Sequence, residues 1–355
     1  MSLPGDAVDV ADLRALADGG TIREDVYRKI FFLQTAADTP FTNLIGTDTC
    51  ESDKTEWVTD DIPSVNASNA VIEGSNPSSY QAASGTRVSN RTQESRRALS
   101  VTSRARNVGV VGSNDQLMFE TDKALKALRQ DVEAAAVSHQ AGVIGVAAST
   151  AQKAGGFSAW VASNDSFGSG GASGGYNSST HIVDAPTVGG QRALSWAYVT
   201  AQMLATYNSR GNVRYLMTTP QLQNGITASF VAGTIKGAVP SANIDGERGI
   251  KQVGNGYFGG FISALGQLVM FVPNRTMQAY DDATTPTAVS VVDVLLIDPD
   301  QVAMAYLDGY RVTDLGQTSG LRFDRDVTVE WTTKVYREDA HAVIRDINPA
   351  SAVTA

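Results

Sequence analysis

An α+β fold is what this sequence predicts, on three observations. A charged, hairpin-like stretch occupies residues 48–106, one long helical stripe follows within 113–147, and the last hundred residues are mostly strand-like. With 355 residues, 42% of them hydrophobic and 18% charged, the chain is long enough for two or three domains or one large irregular one. That composition supports a real core and excludes wholesale disorder.

Val26, Ile30, Phe31 and Leu33 are spaced as one edge of a short helix, ended by Asp38-Thr39-Pro40. Such a helix docks on its own chain or reaches out as an arm; the pattern leaves both open. From Asp48 to Glu73 there are seven acids (Asp48, Glu51, Asp53, Glu56, Asp60, Asp61, Glu73) against one base, Lys54. From Arg87 to Arg106 there are six arginines (Arg87, Arg91, Arg96, Arg97, Arg104, Arg106) against one acid, Glu94. Strand-like pieces at Thr55–Thr59 and Arg97–Thr102 flank a small, polar middle, so the region reads as a long hairpin with an acidic and a basic limb. So long an excursion buries little by itself and is expected to rest on something else.

The helix predicted from Asn114 to about Ala141, about 42 Å long at 1.5 Å per residue, opens on a Ser113–Gln116 capping box. Leu117, Ala124, Leu125, Leu128, Val132 and Ala135 form its apolar stripe, and the charged outer face puts it on a surface. A second helix is predicted over Gln191–Asn208, burying Leu194, Tyr198, Ala201, Leu204 and Ala205. Val213–Met217 reads as a strand, and Pro220 starts a third helix at the position where its missing N–H costs nothing. Strands then flank the turn at Leu265-Gly266-Gln267. Val291–Ile297 is a buried strand, Asp298-Pro299-Asp300 turns the chain, and Val302–Leu307 returns. Val327, Val329, Trp331, Thr333 and Val335 alternate with polar residues as a long strand with one wet face, and His341–Ile347 is expected to pair with it.

Few motifs carry chemistry. Gly254–Gly259 matches G-x-G-x-x-G, but extended residues follow it where a dinucleotide site needs a helix, so it reads as a glycine-rich loop. Gly171–Gly175 matches G-x-S-x-G, with His181 and Asp184 nearby, yet it lies in a stretch with nine glycines between residues 154 and 190. A hydrolase using Ser173 is therefore the minor reading. Cys50 is the one cysteine, and the three histidines, His139, His181 and His341, lie far apart. No disulfide framework, metal or cofactor is expected. No apolar run reaches the ~18 residues of a membrane helix, and Met1–Asp6 lacks a basic n-region, so a soluble protein made in a reducing compartment is expected. A net charge of −9 makes a poor general DNA binder. The six arginines are read as a salt-bridged assembly limb rather than a nucleic-acid patch, because the facing limb is acidic.

The order of parts, and several motifs within it, resemble the Hong Kong 97-type major capsid fold of tailed bacteriophages, in particular a podovirus-type major capsid family. The motifs are Thr39–Leu44, Glu56–Asp60, Ala124–Glu133, Asp298-Pro299-Asp300 before Ala303–Leu307, and Trp331–Ile347. The resemblance covers about Ile22 to Ile347. It implies an N-terminal arm (1–47), an extended loop (48–108) and a peripheral domain with the spine helix (109–185 and 319–348). An axial domain (186–318) completes the set. It implies pentamers and hexamers of this chain in an icosahedral virion shell around double-stranded DNA held without sequence-specific binding. The shell would be built in the bacterial host cytoplasm, with scaffold, portal and decoration proteins as further partners, and with no enzymatic activity and no membrane. Asp53, Glu56, Asp60, Asp61, Arg87, Arg91, Arg96, Arg97, Arg104 and Arg106 are then expected at subunit contacts. Some members cross-link subunits through lysine and asparagine; Lys54 is the one lysine of this loop, and no residue match to that chemistry is found. An encapsulin-like compartment shell shares the fold and is the alternative.

Overall fold

A computed structural model describes residues 38–76, 85–107, 115–231, 259–281, 290–316 and 320–354. The helix edge expected at Val26–Leu33, Ser113 of the expected capping box, and Gly254–Phe258 of the glycine motif lie outside these residues.

Helix α1 (Pro40–Leu44) leads into β1 (Gly46–Thr49). Strands β2 (Lys54–Thr59) and β3 (Thr86–Arg91) pair antiparallel, from Lys54 opposite Arg91 to Thr59 opposite Thr86. Strand β4 (Gln93–Thr102) and the short α2 (Ser103–Asn107) come next. The basic limb is thus two strands, and the second does not belong to the hairpin: β4 pairs along the length of the penultimate long strand, described below.

The long helix, α3, runs Gln116–Val137, shorter at both ends than the expected span. Its start is set by Asp115, whose carboxylate accepts the N–H groups of Leu117 and Met118 at 3.0 and 3.5 Å. Its end is set by Ser138, whose N–H and hydroxyl both return to the Ala135 carbonyl, at 3.3 and 2.8 Å. Leu117, Leu128 and Val132 are buried as the stripe requires, but so is Glu133, on a helix whose charges were expected to face water.

Four short elements follow: α4 (Phe157–Trp160), β5 (Asp165–Ser166), β6 (Gly175–Asn177) and β7 (Ile182–Asp184). Helix α5 (Trp196–Asn208) starts at Ser195, whose hydroxyl accepts the Ala197 N–H. It buries Trp196, Val199, Met203 and Thr206. It starts later than the expected Gln191; of the residues expected inside, Leu194 is buried ahead of the helix, while Tyr198 and Leu204 on it are exposed. Both faces are apolar, so periodicity could not choose between them; the indole of Trp196, packed edge-on against Phe261 at 4.7 Å, decides it. Beyond these lie β8 (Tyr215–Thr218), α6 (Pro220–Val231), β9 (Gly260–Ile262), β10 (Leu268–Pro273) and β11 (Tyr280–Asp281). The last strands are β12 (Ser290–Ile297), β13 (Val302–Gly316), β14 (Arg322–Val335) and β15 (Ala342–Ile347).

Two sheets organise these elements. One has the order β1-β13-β14-β4; the other runs β5-β15-β12-β8-β10-β9, with β11 also on β12. Two expected pairings are corrected. The Asp298-Pro299-Asp300 turn does not fold β13 back onto β12; it carries the chain from one sheet to the other. Strand β15 pairs with β12 and β5, not with β14. Both errors have one cause: apolar alternation marks a strand but does not name its partner.

The sheet holding β12 divides the interior. Met217, Leu295, Ile297 and Val343 face a core shared with Leu128 and Val132 of α3 and with Val329 and Trp331 of β14. Leu216, Val292, Val294, Leu296 and Ile344 face a second core closed by α5 and α6. Burial on both faces explains why β12 is apolar on both sides, with Asp293 as the one acid in Val291–Ile297.

Candidate functional site

The charged residues singled out in the sequence fall into three groups. The first ties the β2–β3 hairpin together: Arg87 pairs with Glu56 at 3.3 Å and Arg91 with Asp53 at 3.2 Å, while Lys54 also contacts Glu56. Here the acidic and basic limbs do meet. The second group lies on β4 and α2 and turns away from the acidic limb. Arg97 grips both oxygens of Asp131 on α3, at 2.6 and 2.8 Å, which raises the pKa of its guanidinium. Arg96 lies 3.9 Å from Asp326 on β14, and Arg106 lies 3.7 Å from Asp115 with its guanidinium over the Phe323 ring. Arg104 sits exposed on α2. In the third group, Asp61 reaches Arg337 at 2.6 Å, and the Asp60 carbonyl accepts from the same guanidinium at 3.3 Å.

Beyond Asp61 the loop leaves the body. Ile62, Val65, Val71 and Ile72 are 73%, 89%, 82% and 83% exposed. Its base is held by Trp57, whose indole N–H donates to the Val335 carbonyl at 3.1 Å and whose ring lies 5.5 Å from that of Trp160. It is also held by Asn90, fully buried on β3. The Asn90 amide donates to the carbonyls of Thr333 and Gly155, at 2.8 and 3.2 Å, and accepts the Gly155 N–H at 2.9 Å. Three polar bonds from one side chain fix the loop to β14 and to the segment just before α4.

Two further buried polar sites escaped the sequence reading. The carboxylate of Glu133 accepts the N–H groups of Phe41 and Thr42, at 2.6 and 2.9 Å, and the Asn274 amide at 2.9 Å. Burial pushes its carboxyl up, against these hydrogen bonds. Below the C-terminus of α3, His139 Nε2 lies 2.6 Å from Asp293 on β12, and the Ser158 hydroxyl donates to the same oxygen at 2.8 Å. Arg345 on β15 donates to Ser158 and to both oxygens of Asp165, each at 2.8 Å. Burial alone would raise the Asp293 carboxyl, yet His139 and Arg345 hold it below the usual carboxylate range. Glu133 sits inside a run that reads as helical, and Asp293 inside a run that reads as strand. A lone acid among buried positions was the one available signal for either.

The G-x-S-x-G residues do not assemble a triad. Ser173 neighbours Asp165, His181 Nδ1 faces the Tyr176 hydroxyl at 3.1 Å, and Asp184 accepts from Asn177 at 2.9 Å. Among the described residues no group of three or more His, Cys, Asp or Glu side chains is placed to hold a metal ion.

Known proteins resolve what this architecture is. A family model described as SU10 major capsid protein matches residues 12–348. The major capsid protein of Escherichia phage Phieco32 is 31% identical over 104 residues, an alignment covering 29% of this chain and 30% of that relative. Among solved structures, the capsid of the native GTA particle superposes with a TM-score of 0.58 at 11% identity, over 94% of this chain and 98% of the other. The Cyanophage A-1(L) capsid gives 0.57 at 13% identity, over 90% and 96%. The holo-SrpI encapsulin complex from Synechococcus elongatus PCC 7942 gives 0.56 at 11%, over 98% and 99%. At these identities the structures establish the shared Hong Kong 97-type fold, and the family match over nearly the whole length establishes the rest: this chain belongs to the SU10 major capsid protein family of tailed phages.

Proposed function

We propose that copies of this chain close into the icosahedral head of a tailed phage, as pentamers and hexamers around double-stranded DNA enclosed without sequence-specific contacts. The observation that carries this reading is the loop beyond Asp61: four large aliphatic side chains stand in water on a segment whose anchors, among the described residues, lie at its base. A monomer gains nothing from that arrangement, whereas a neighbouring subunit would cover it. The division into arm (1–47), extended loop (48–108), peripheral domain (109–185 and 319–348) and axial domain (186–318) belongs to the same proposal. So do a scaffold and a portal as partners, decoration proteins on the shell, and assembly in the host cytoplasm.

The ten charged residues fit this proposal in two ways. Asp53, Glu56, Arg87, Arg91, Arg96, Arg97 and Arg106 stiffen the loop and its supporting strand from within, and their exposed sides, with Asp60, Asp61 and Arg104, are available to a neighbour. A structural role without catalysis is the reading that the family supports, and the separation of Ser173, His181 and Asp184 into different partnerships supports it too. The family match is to capsid proteins, which favours a genome rather than enzyme cargo inside the shell. Negative-stain microscopy and sedimentation of the full chain, alone and with its scaffold, test the proposal: closed shells or capsomers are expected. A compact monomer under every condition overturns it.

A further inference from the structure

At the C-terminus of α3 a surface cavity of about 420 Å³ is lined by Asp131, Ala134, Ala135, Ser138, His139, Gln140, Gln278 and Tyr280. Its polar character is one-sided. The helix of 22 residues ends here with no basic residue in its last turn, so partial negative charge from its carbonyls collects at the wall. Asp131 adds a carboxylate; Arg97 takes one lone pair from each of its oxygens from the other side, which leaves acceptor capacity.

His139 is 9% exposed, and its Nδ1 has no hydrogen-bond partner among the described residues. Its Nε2 faces the Asp293 carboxylate at 2.6 Å, which fixes the ring in place as part of the cavity lining. Its ring stacks flat on Tyr280, centroids 3.7 Å apart, and its N–H donates to the Tyr280 hydroxyl oxygen at 2.9 Å.

Acceptors on one wall and a stacked aromatic pair on another suit one class of group: a planar cation with several N–H donors. The geometry points to this cavity as the receptor for a guanidinium side chain, and to an arginine of a second copy of this chain as its occupant. The second half of that statement rests on the shell reading above. It is supported by charge complementarity: Arg87, Arg96 and Arg275 pair at 3.3–3.9 Å with Glu56, Asp326 and Asp38, yet their side chains stay more than two-thirds exposed, at 72%, 71% and 76%, so an exchange of partner on assembly is open to each.

The test has two arms. Full-length, unassembled chain carrying ¹⁵N-histidine is titrated with Nα-acetyl-arginine amide and, separately, with the citrulline amide, whose neutral urea replaces the guanidinium. A saturable shift of the His139 ring nitrogens with the arginine probe alone is expected. No shift, or an equal shift with citrulline, overturns the site. Ala134→Leu fills the cavity without touching the buried ion cluster; Gln278→Trp covers it from an exposed position and serves if the first variant folds poorly. Either should weaken probe binding about tenfold or more, the scale of one charge-assisted hydrogen bond. Thermal unfolding of the free subunit should be unchanged, and the concentration needed for assembly should rise by a similar factor. A variant that loses the probe but assembles at the wild-type concentration overturns the second-copy occupant. If the wild-type chain never assembles, the shell reading falls and that occupant with it, while the probe titration still decides whether the cavity takes a guanidinium.

Discussion

Strand β12 and the loop at 60–76 use the same kinds of aliphatic residue to opposite ends. In β12 every residue from Val291 to Ile297 is buried, because α3 and its sheet cover one face and α5 and α6 cover the other. In the loop, Ile62, Val65, Val71 and Ile72 are separated by Pro63, Ser64, Asn66, Ser68 and Asn69, and nothing of the described chain covers them. The difference is not hydrophobicity but whether the sequence supplies a second layer. Where it does, the subunit is self-sufficient; where it does not, burial waits for another molecule.

The largest expected effect tests the self-sufficient side. Asp293→Ala removes the shared partner of His139 and Ser158 and leaves Arg345 facing Asp165 alone. Loss of one member of a buried charge cluster should cost about 3–5 kcal/mol, read as a shift in the denaturant midpoint. If the midpoint stays put, the joint between α3, β12 and β15 is not a source of stability.

A smaller effect on the same side is pH-dependent. His341 is fully buried, accepts the Asp298 N–H at Nδ1 and faces the Gln301 carbonyl with Nε2, so the neutral ring is the one that fits. Burial lowers its pKa to about 4. Between that value and an unfolded value near 6.5 the unfolded chain binds more protons, so this stability is complete above about pH 6.5 and is lost as pH falls towards 4. Roughly 2–3 kcal/mol should disappear from wild type by pH 4.5. Melting curves of His341→Gln should show a shallower acid limb; an identical limb would assign the acid sensitivity to other groups.

The smallest effect on the subunit should be the largest on the shell. Val71→Ser with Ile72→Ser should change subunit stability by no more than about 0.5 kcal/mol, as exposed substitutions do. The same change should reduce assembly measured by sedimentation. Normal shells from this variant would mean that the loop's aliphatic side chains are not covered on assembly, and the comparison with β12 would lose its point.

Much of the fold was legible because burial imposes a period. The stripe Leu117–Leu128–Val132 gave the long helix, and the alternation Val327–Val329–Trp331 gave β14. Partners were not legible: β15 and β14 are both apolar strands near the C-terminal end, and sheet order depends on contacts far away in sequence. Nor was the buried face of α5, where Tyr198, Ala201 and Leu204 offer as apolar a stripe as Trp196, Val199 and Met203. Of the charged residues singled out, Glu56 with Arg87 and Asp53 with Arg91 meet as opposite limbs of one hairpin should. Arg96 and Arg97 instead find Asp326 and Asp131, because β4 leaves the hairpin for β14. Asn90, Glu133 and Arg345 stayed invisible, since composition marks polar residues as exposed and only the assembled fold supplies their partners.

The Glu133 carboxylate joins α1 to α3 across 91 and 92 residues of chain. Five residues cannot sustain a helix in water unaided, so α1 exists as a helix only once that distant side chain is in position to receive its first N–H groups. Slow hydrogen exchange at Phe41 and Thr42 is therefore a readout of the finished body rather than of local structure, a clock that starts when the two ends of a long chain segment have found each other.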